Sequence, residues 1–158
     1  MGLFRRKIKI EDYVEGLVRD KLPRAVTFFK NENSHSRHSV TIEEHVLLEI
    51  GAAMILFFLG KFYPDTEKKN IEMMSRAYKP MEGLLPQMNA RPAQVHGWWK
   101  AFTDGLIFQS DEERLRIACR LAWEKVLPHK PYREASPLKT FGYFLEMEIE
   151  GVKKLKVV

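Results

Sequence analysis

One stretch, VLLEIGAAMILFFLGKFY from Val46 to Tyr63, constrains this chain more than any other. Between Glu49 and Lys61 it carries no charged residue. Coiled as a helix, those residues cover every side, so the helix has no face for water and must lie in a protein core or in lipid. Length argues for the core. A spanning helix needs about 20 predominantly apolar residues, whereas Glu49 interrupts this run and Gly51 and Gly60 lower its helical bias. The reading is a buried helix over 42–62 and no membrane span. Thr41-Ile42-Glu43-Glu44 has the order of a capping box at its start, and Pro64 stops it.

The rest of the chain reads as helices gathered around that one. Ile10, Tyr13, Val14, Leu17, Val18 and Leu22 follow helical spacing and predict a helix over 10–22 that Pro23 ends or kinks, with a further turn at 25–29. Residues 30–40, beginning KNENSHSRHS, are polar and predict a loop. Asp65 is placed to cap a helix over 66–78. Pro80, Gly83, Pro86 and Pro92 predict a connector over 79–92. Pro92 opens a helix to 108 with a stripe of Val95, Trp98, Trp99, Phe102 and Leu106. Ser110-Asp111-Glu112-Glu113 reads as a second capping box, opening a helix over 111–127. Ser136-Pro137 starts the last element. Segment 138–157 fits a helix on Leu138, Phe141, Leu145, Ile149 and Val152. A β-hairpin is the alternative, with Lys7-Ile8-Lys9-Ile10 pairing its lysines opposite glutamates. Because a lone hairpin is marginal, helix is favoured. The fold class is all-α, a single-domain bundle over 1–158 of about five to six helices around 42–62, with a basic segment at 1–9.

Composition suits that reading. The 158 residues are 45% hydrophobic and 30% charged, an ordinary globular balance. The single cysteine, Cys119, excludes an intrachain disulfide and fits the cytoplasm. No apolar region or cleavage site follows MGLFRRKIKI, so no secretory signal is read there, and Arg6 stands where a myristoylation signal wants Ser or Thr. The net charge of +5 concentrates at the ends: Arg5, Arg6, Lys7 and Lys9, then Lys153, Lys154 and Lys156.

Few residues offer chemistry. Glu49 inside the most apolar helix must be paired or protonated, and His45 one turn earlier shares its face. They form a binding candidate or, more simply, a structural pair. His96, Trp98 and Trp99 present two adjacent indoles beside a basic residue, Lys100, as a second binding candidate. The only Glu-x-x-His, Glu32 to His35, lies in the polar segment rather than on paired helices, which argues against a carboxylate-bridged metal pair. His35 and His38 lack a third ligand in the sequence, so no metal and no cofactor is expected. Cys119 falls on a core stripe and reads as inert. No phosphate loop or nucleophile elbow occurs.

The sequence therefore points away from catalysis and toward a soluble helical protein that works through protein contacts. Ten Phe, five Tyr and three Trp are many for one small core, which makes a homodimer through an apolar face the expected partnership. A nucleic-acid interface on Arg5, Arg6, Lys7, Lys9, Arg114, Arg116 and Arg120 is the alternative; Glu112, Glu113 and Glu124 share the helix of those arginines and weaken it. An enzyme or small-ligand pocket near His45 and Glu49 is the second alternative.

Overall fold

The computed structural model describes residues 6–37, 39–62, 71–133 and 136–158. Among them the chain is an all-α bundle with one short pair of strands. Strand β1 is Arg6–Ile8, followed by α1 (Ile10–Gly16), a π-helical turn (Leu17–Lys21) and α2 (Leu22–His35). The central helix α3 is Glu44–Phe62. Then come α4 (Ile71–Gln87), α5 (Pro92–Leu106), α6 (Arg114–Val126), α7 (Pro137–Glu150) and strand β2 (Leu155–Val157).

Helix α3 is the axis. Every residue from Leu47 to Gly60 is buried, and α2, α4, α5, α6 and α7 all pack on it. It is long and apolar enough to cross a membrane, yet 78% of its most apolar window is covered by the rest of the fold. Close crossing needs small residues on one side. A Cβ at Gly51 would collide with Leu22 and sit 2.7 Å from Phe141 Cζ, and one at Gly142 would sit 2.9 Å from Leu115 Cδ1 and 3.0 Å from Cys119 Sγ.

Prolines behave differently from expectation at two places. Segment 10–35 is one helical rod: Pro23 does not end it. The turn before Pro23 widens to the π form, with Leu22 N–H reaching Leu17 C=O, which relieves the clash of the ring with the preceding turn. The connector expected over 79–92, with at most one short helix, is helical as far as Gln87, where it forms the second half of α4 with Pro80 and Pro86 inside it. A proline costs a helix about 3 kcal/mol. Ala77, Met81 and Leu85 are fully buried on the same face, and Met81 and Leu85 return about 1.5–3 kcal/mol each on burial, of the same order as the cost of the two prolines, so the stripe offsets the break. Asn89 then ends α4 with a positive φ of 61°, Ala90 N–H bonding Leu85 C=O and Asn89 N–H bonding Pro86 C=O, which is a Schellman turn.

Three boundaries also move. The polar segment 30–40 is helical to His35, and the Asn33 amide then brackets the Val40 backbone at 2.7 and 2.8 Å, pinning Val40 into the core. Asp111–Glu113 is a 3₁₀ turn without a side-chain cap from Ser110, so α6 begins at Arg114 rather than at 111. Helix α5 stops at Leu106, short of 108, in a tight turn. The expected cap at Asp65 lies outside the described residues.

Segment 137–150 is helix, and Ser136 accepts a bond from Lys139 N–H at its start. The chain after it does pair with the N-terminal segment, but in parallel: Arg6 opposite Leu155, Lys7 opposite Lys156, Ile8 opposite Val157. Lysine thus faces lysine, not glutamate. The inward pair Ile8 and Val157 packs on the core, Val157 being 2% exposed, and that burial sets the register. Arg76 of α4 fastens this corner with ion-pair contacts to Glu11 and a 3.1 Å bond to the Val158 carbonyl.

Candidate functional site

Glu49 is 1% exposed, and its partner is not His45. Its Oε2 accepts the backbone N–H of Arg91 at 2.8 Å and Arg91 Nε at 3.2 Å, while Oε1 takes Nη2 at 3.3 Å. Arg91 immediately precedes α5, so the carboxylate sits at the positive end of that helix dipole. The Asn89 turn delivers Arg91 there. His45 instead lies 3.2 Å from Glu43 Oε2. Among the described residues no hydrogen bond or ion pair joins His45, Glu49 and His96 to one another.

Arg114 is the second buried charge, at 1% exposure. Its Nη1 donates to the Phe57 carbonyl at 2.7 Å, Nε reaches Asp111 at 3.0 Å, and the guanidinium stacks 4.8 Å over the Phe57 ring. It cannot belong to a phosphate-binding surface with Arg116 and Arg120, as the sequence alternative had it. Those two are exposed, Arg116 engaged by Glu113 of the preceding turn and Arg120 by Glu124 of its own helix. Of the basic N-terminal residues, Arg6, Lys7 and Lys9 are exposed on and beside β1, while Arg5, like His38, lies outside the described residues.

The tryptophans part company. Trp98 is buried against Phe102, with Lys125 Nζ 4.4 Å over its ring. Trp99 is half-buried with His96 at 6.0 Å between ring centres, and its buried indole N–H has no acceptor. Cys119 is fully buried among apolar atoms, which pushes its thiol up to about 12 and makes it a poor nucleophile. Among the described residues no group of three or more His, Cys, Asp or Glu is placed to hold a metal ion.

At the end of α3 lies a cluster that sequence spacing does not show. Lys61, largely buried, stands 3.4 Å from Glu112 and 4.0 Å from Glu146. Glu146 Oε2 is buried and unbonded, and desolvation holds its carboxyl above the ordinary value despite Lys61. Sequence spacing cannot show it, because Lys61 comes from α3, Glu112 from the turn before α6 and Glu146 from α7.

What remains exposed and apolar is more telling. Phe28 of α2 is 46% exposed, and Tyr143 and Met147 of α7 are 53% and 51% exposed. Phe144 joins them, its ring 5.0 Å from Phe28. Met147 lies three residues from Phe144 and four from Tyr143, so on the helix surface the patch runs from the Phe28–Phe144 contact at the α2–α7 seam out across the exposed face of α7. Lys21 and Glu148 form an ion pair across the same seam, at 3.6 Å. Compared with protein-family models, with curated proteins and with solved structures, the chain matches none.

Two outcomes follow from the buried charges. Arg91→Ala leaves the buried Glu49 carboxylate with one donor and should lower stability; adding Glu49→Gln should recover most of the loss, because the charge that lacked a partner is gone. Urea denaturation of the four proteins measures this, and simply additive losses would contradict the pairing. For Glu146, a folded pKa above the ordinary 4.5 means its contribution to stability is fully present below 4.5 and is lost as pH rises through the folded value. Glu146→Gln should therefore gain in melting temperature on the parent between about pH 4 and about pH 7; a constant difference across that range would show that the carboxyl is not destabilised.

Proposed function

We propose that this chain is a single soluble helical domain that works without catalysis, through protein contacts, and that it pairs with a second copy of itself through the α2–α7 patch. The observation that carries this is the patch of Phe28, Tyr143, Phe144 and Met147, large apolar side chains that the fold leaves partly in water. Aromatic side chains and methionine are the groups that supply contact energy and adaptable packing at interfaces. The seam runs beside charges of both signs, Lys21 and Glu148, which suits a two-fold contact in which each patch meets its own copy. The two buried charges that might have marked a reaction centre are each explained by the fold, Glu49 at the start of α5 and Arg114 against Phe57. A lone buried cysteine fits a cytoplasmic setting.

Sedimentation velocity tests the pairing. The parent protein should move from monomer to dimer as concentration rises. Phe28→Glu and Met147→Glu should each remain monomeric with little change in melting temperature, since both side chains already stand about half in water. A parent that stays monomeric at every concentration, or variants that dimerise as well as it does, would remove this reading.

A further inference from the structure

The two basic ends of the chain are far apart in sequence and adjacent in space. Parallel pairing of β1 with β2 gathers Arg6, Lys7, Lys9, Lys153, Lys154 and Lys156, all exposed, into one patch. Lys153 is paired with Glu150; none of the other five makes an ion pair among the described residues. Lys7 stands directly opposite Lys156, a like-charge juxtaposition that weakens a strand pair unless an anion lies over it. The buried faces of Ile8 and Val157 fix the register that creates it.

A second feature lies at the same end of the bundle. Leu106 to Gln109 form a type II turn: Gln109 N–H bonds Leu106 C=O at 2.8 Å, Ile107 has φ −53° and ψ 127°, and Phe108 has φ 66°. That third position calls for glycine. Here it holds a phenylalanine 99% exposed to water, beside Ile107 at 59%. Strain and exposure both run against stability, and strain of this kind collects at functional sites. Helices α5 and α7 run in the direction of α3, as Glu49–Arg91 and Phe57–Phe102 show for one and Met54–Gly142 and Lys61–Glu146 for the other. Their C-terminal ends therefore share the end where Lys153 Nζ lies 5.0 Å over Phe62 and Lys61 meets Glu112.

We infer that this end of the bundle docks on an anionic lipid surface, with the β1–β2 cations against headgroups and Ile107–Phe108 inserted at the acyl boundary. Weak membrane attachment becomes stable when two signals combine, an apolar insertion and a polybasic patch, and the fold brings both to one end. Among the described residues the acidic groups by the turn are mostly taken up within the protein: Asp111 by Arg114, Glu112 by Lys61 and Glu113 by Arg116, leaving Asp104. A nucleic-acid ligand fits less well. Among the described residues the cations alternate with the aliphatic Ile8, Leu155 and Val157 rather than with rings; the one exposed ring brought to this end, Phe108, belongs to the turn beside Ile107, and phosphates wrapped around that turn would meet Asp104.

Co-sedimentation of the full chain with vesicles tests this, using pure phosphatidylcholine, phosphatidylcholine with about a third phosphatidylserine, and a duplex DNA under the same salt. The protein should bind the phosphatidylserine vesicles, leave the neutral ones, and dissociate as salt rises. Lys7→Ala and Lys156→Ala should each weaken binding about fivefold. Phe108→Gly should weaken binding while raising the melting temperature, because glycine relieves the turn. That opposition separates an anchor from a structural residue. Equal binding to neutral vesicles, tighter binding to DNA than to anionic vesicles, or a Phe108→Gly protein that binds as before would each overturn the inference.

Discussion

Enclosing α3 is the requirement from which the rest of the structure follows. Its residues from Leu47 to Gly60 leave no side for water, so a layer of helices has to surround it completely. Each surrounding helix carries an apolar stripe for that purpose, and each meets α3 where its neighbours permit. Gly51 lets Leu22 and Phe141 come in together. The same enclosure takes Glu49 out of water, and a carboxylate there needs donors. The Schellman turn at Asn89 supplies them by swinging Arg91 into place at the head of α5. One buried charge thereby orients two helices against the axis.

Much of this could be read from residue order. The unbroken apolar run of α3, the stripes of α5 to α7 and the Ser136-Pro137 start are local patterns, and local patterns survive folding. What could not be read was decided by burial that sequence order does not display. Pro80 and Pro86 look like breakers until Ala77, Met81 and Leu85 are seen to share a buried face. Pro23 looks like a stop until the π turn widens ahead of it.

Charges were the least legible residues, because a charge announces itself without naming its partner. Glu49 stood out as an anomaly in its helix, yet its partner is Arg91, 42 positions on. His45, one turn away and on the expected face, turned to Glu43. Arg114 resembled its surface neighbours Arg116 and Arg120 in every sequence property, and only the Phe57 carbonyl and ring distinguish it. The basic ends were visible as ends, but not as one patch. That depends on a three-residue parallel pairing across nearly the whole chain, which no periodicity predicts.

The same contrast separates structure from function in this protein. Polar groups inside the bundle are mostly matched and serve the fold. The apolar groups left outside, on the α2–α7 seam and at Phe108, are those the fold does not use. Native-state hydrogen exchange measures the central claim most directly, that α3 is the axis on which everything else is assembled. The amides from Leu47 to Gly60 should be the slowest in the chain and should exchange only through global unfolding. Exchange of those amides as fast as the exposed end of α2, around Lys30 to His35, would contradict it.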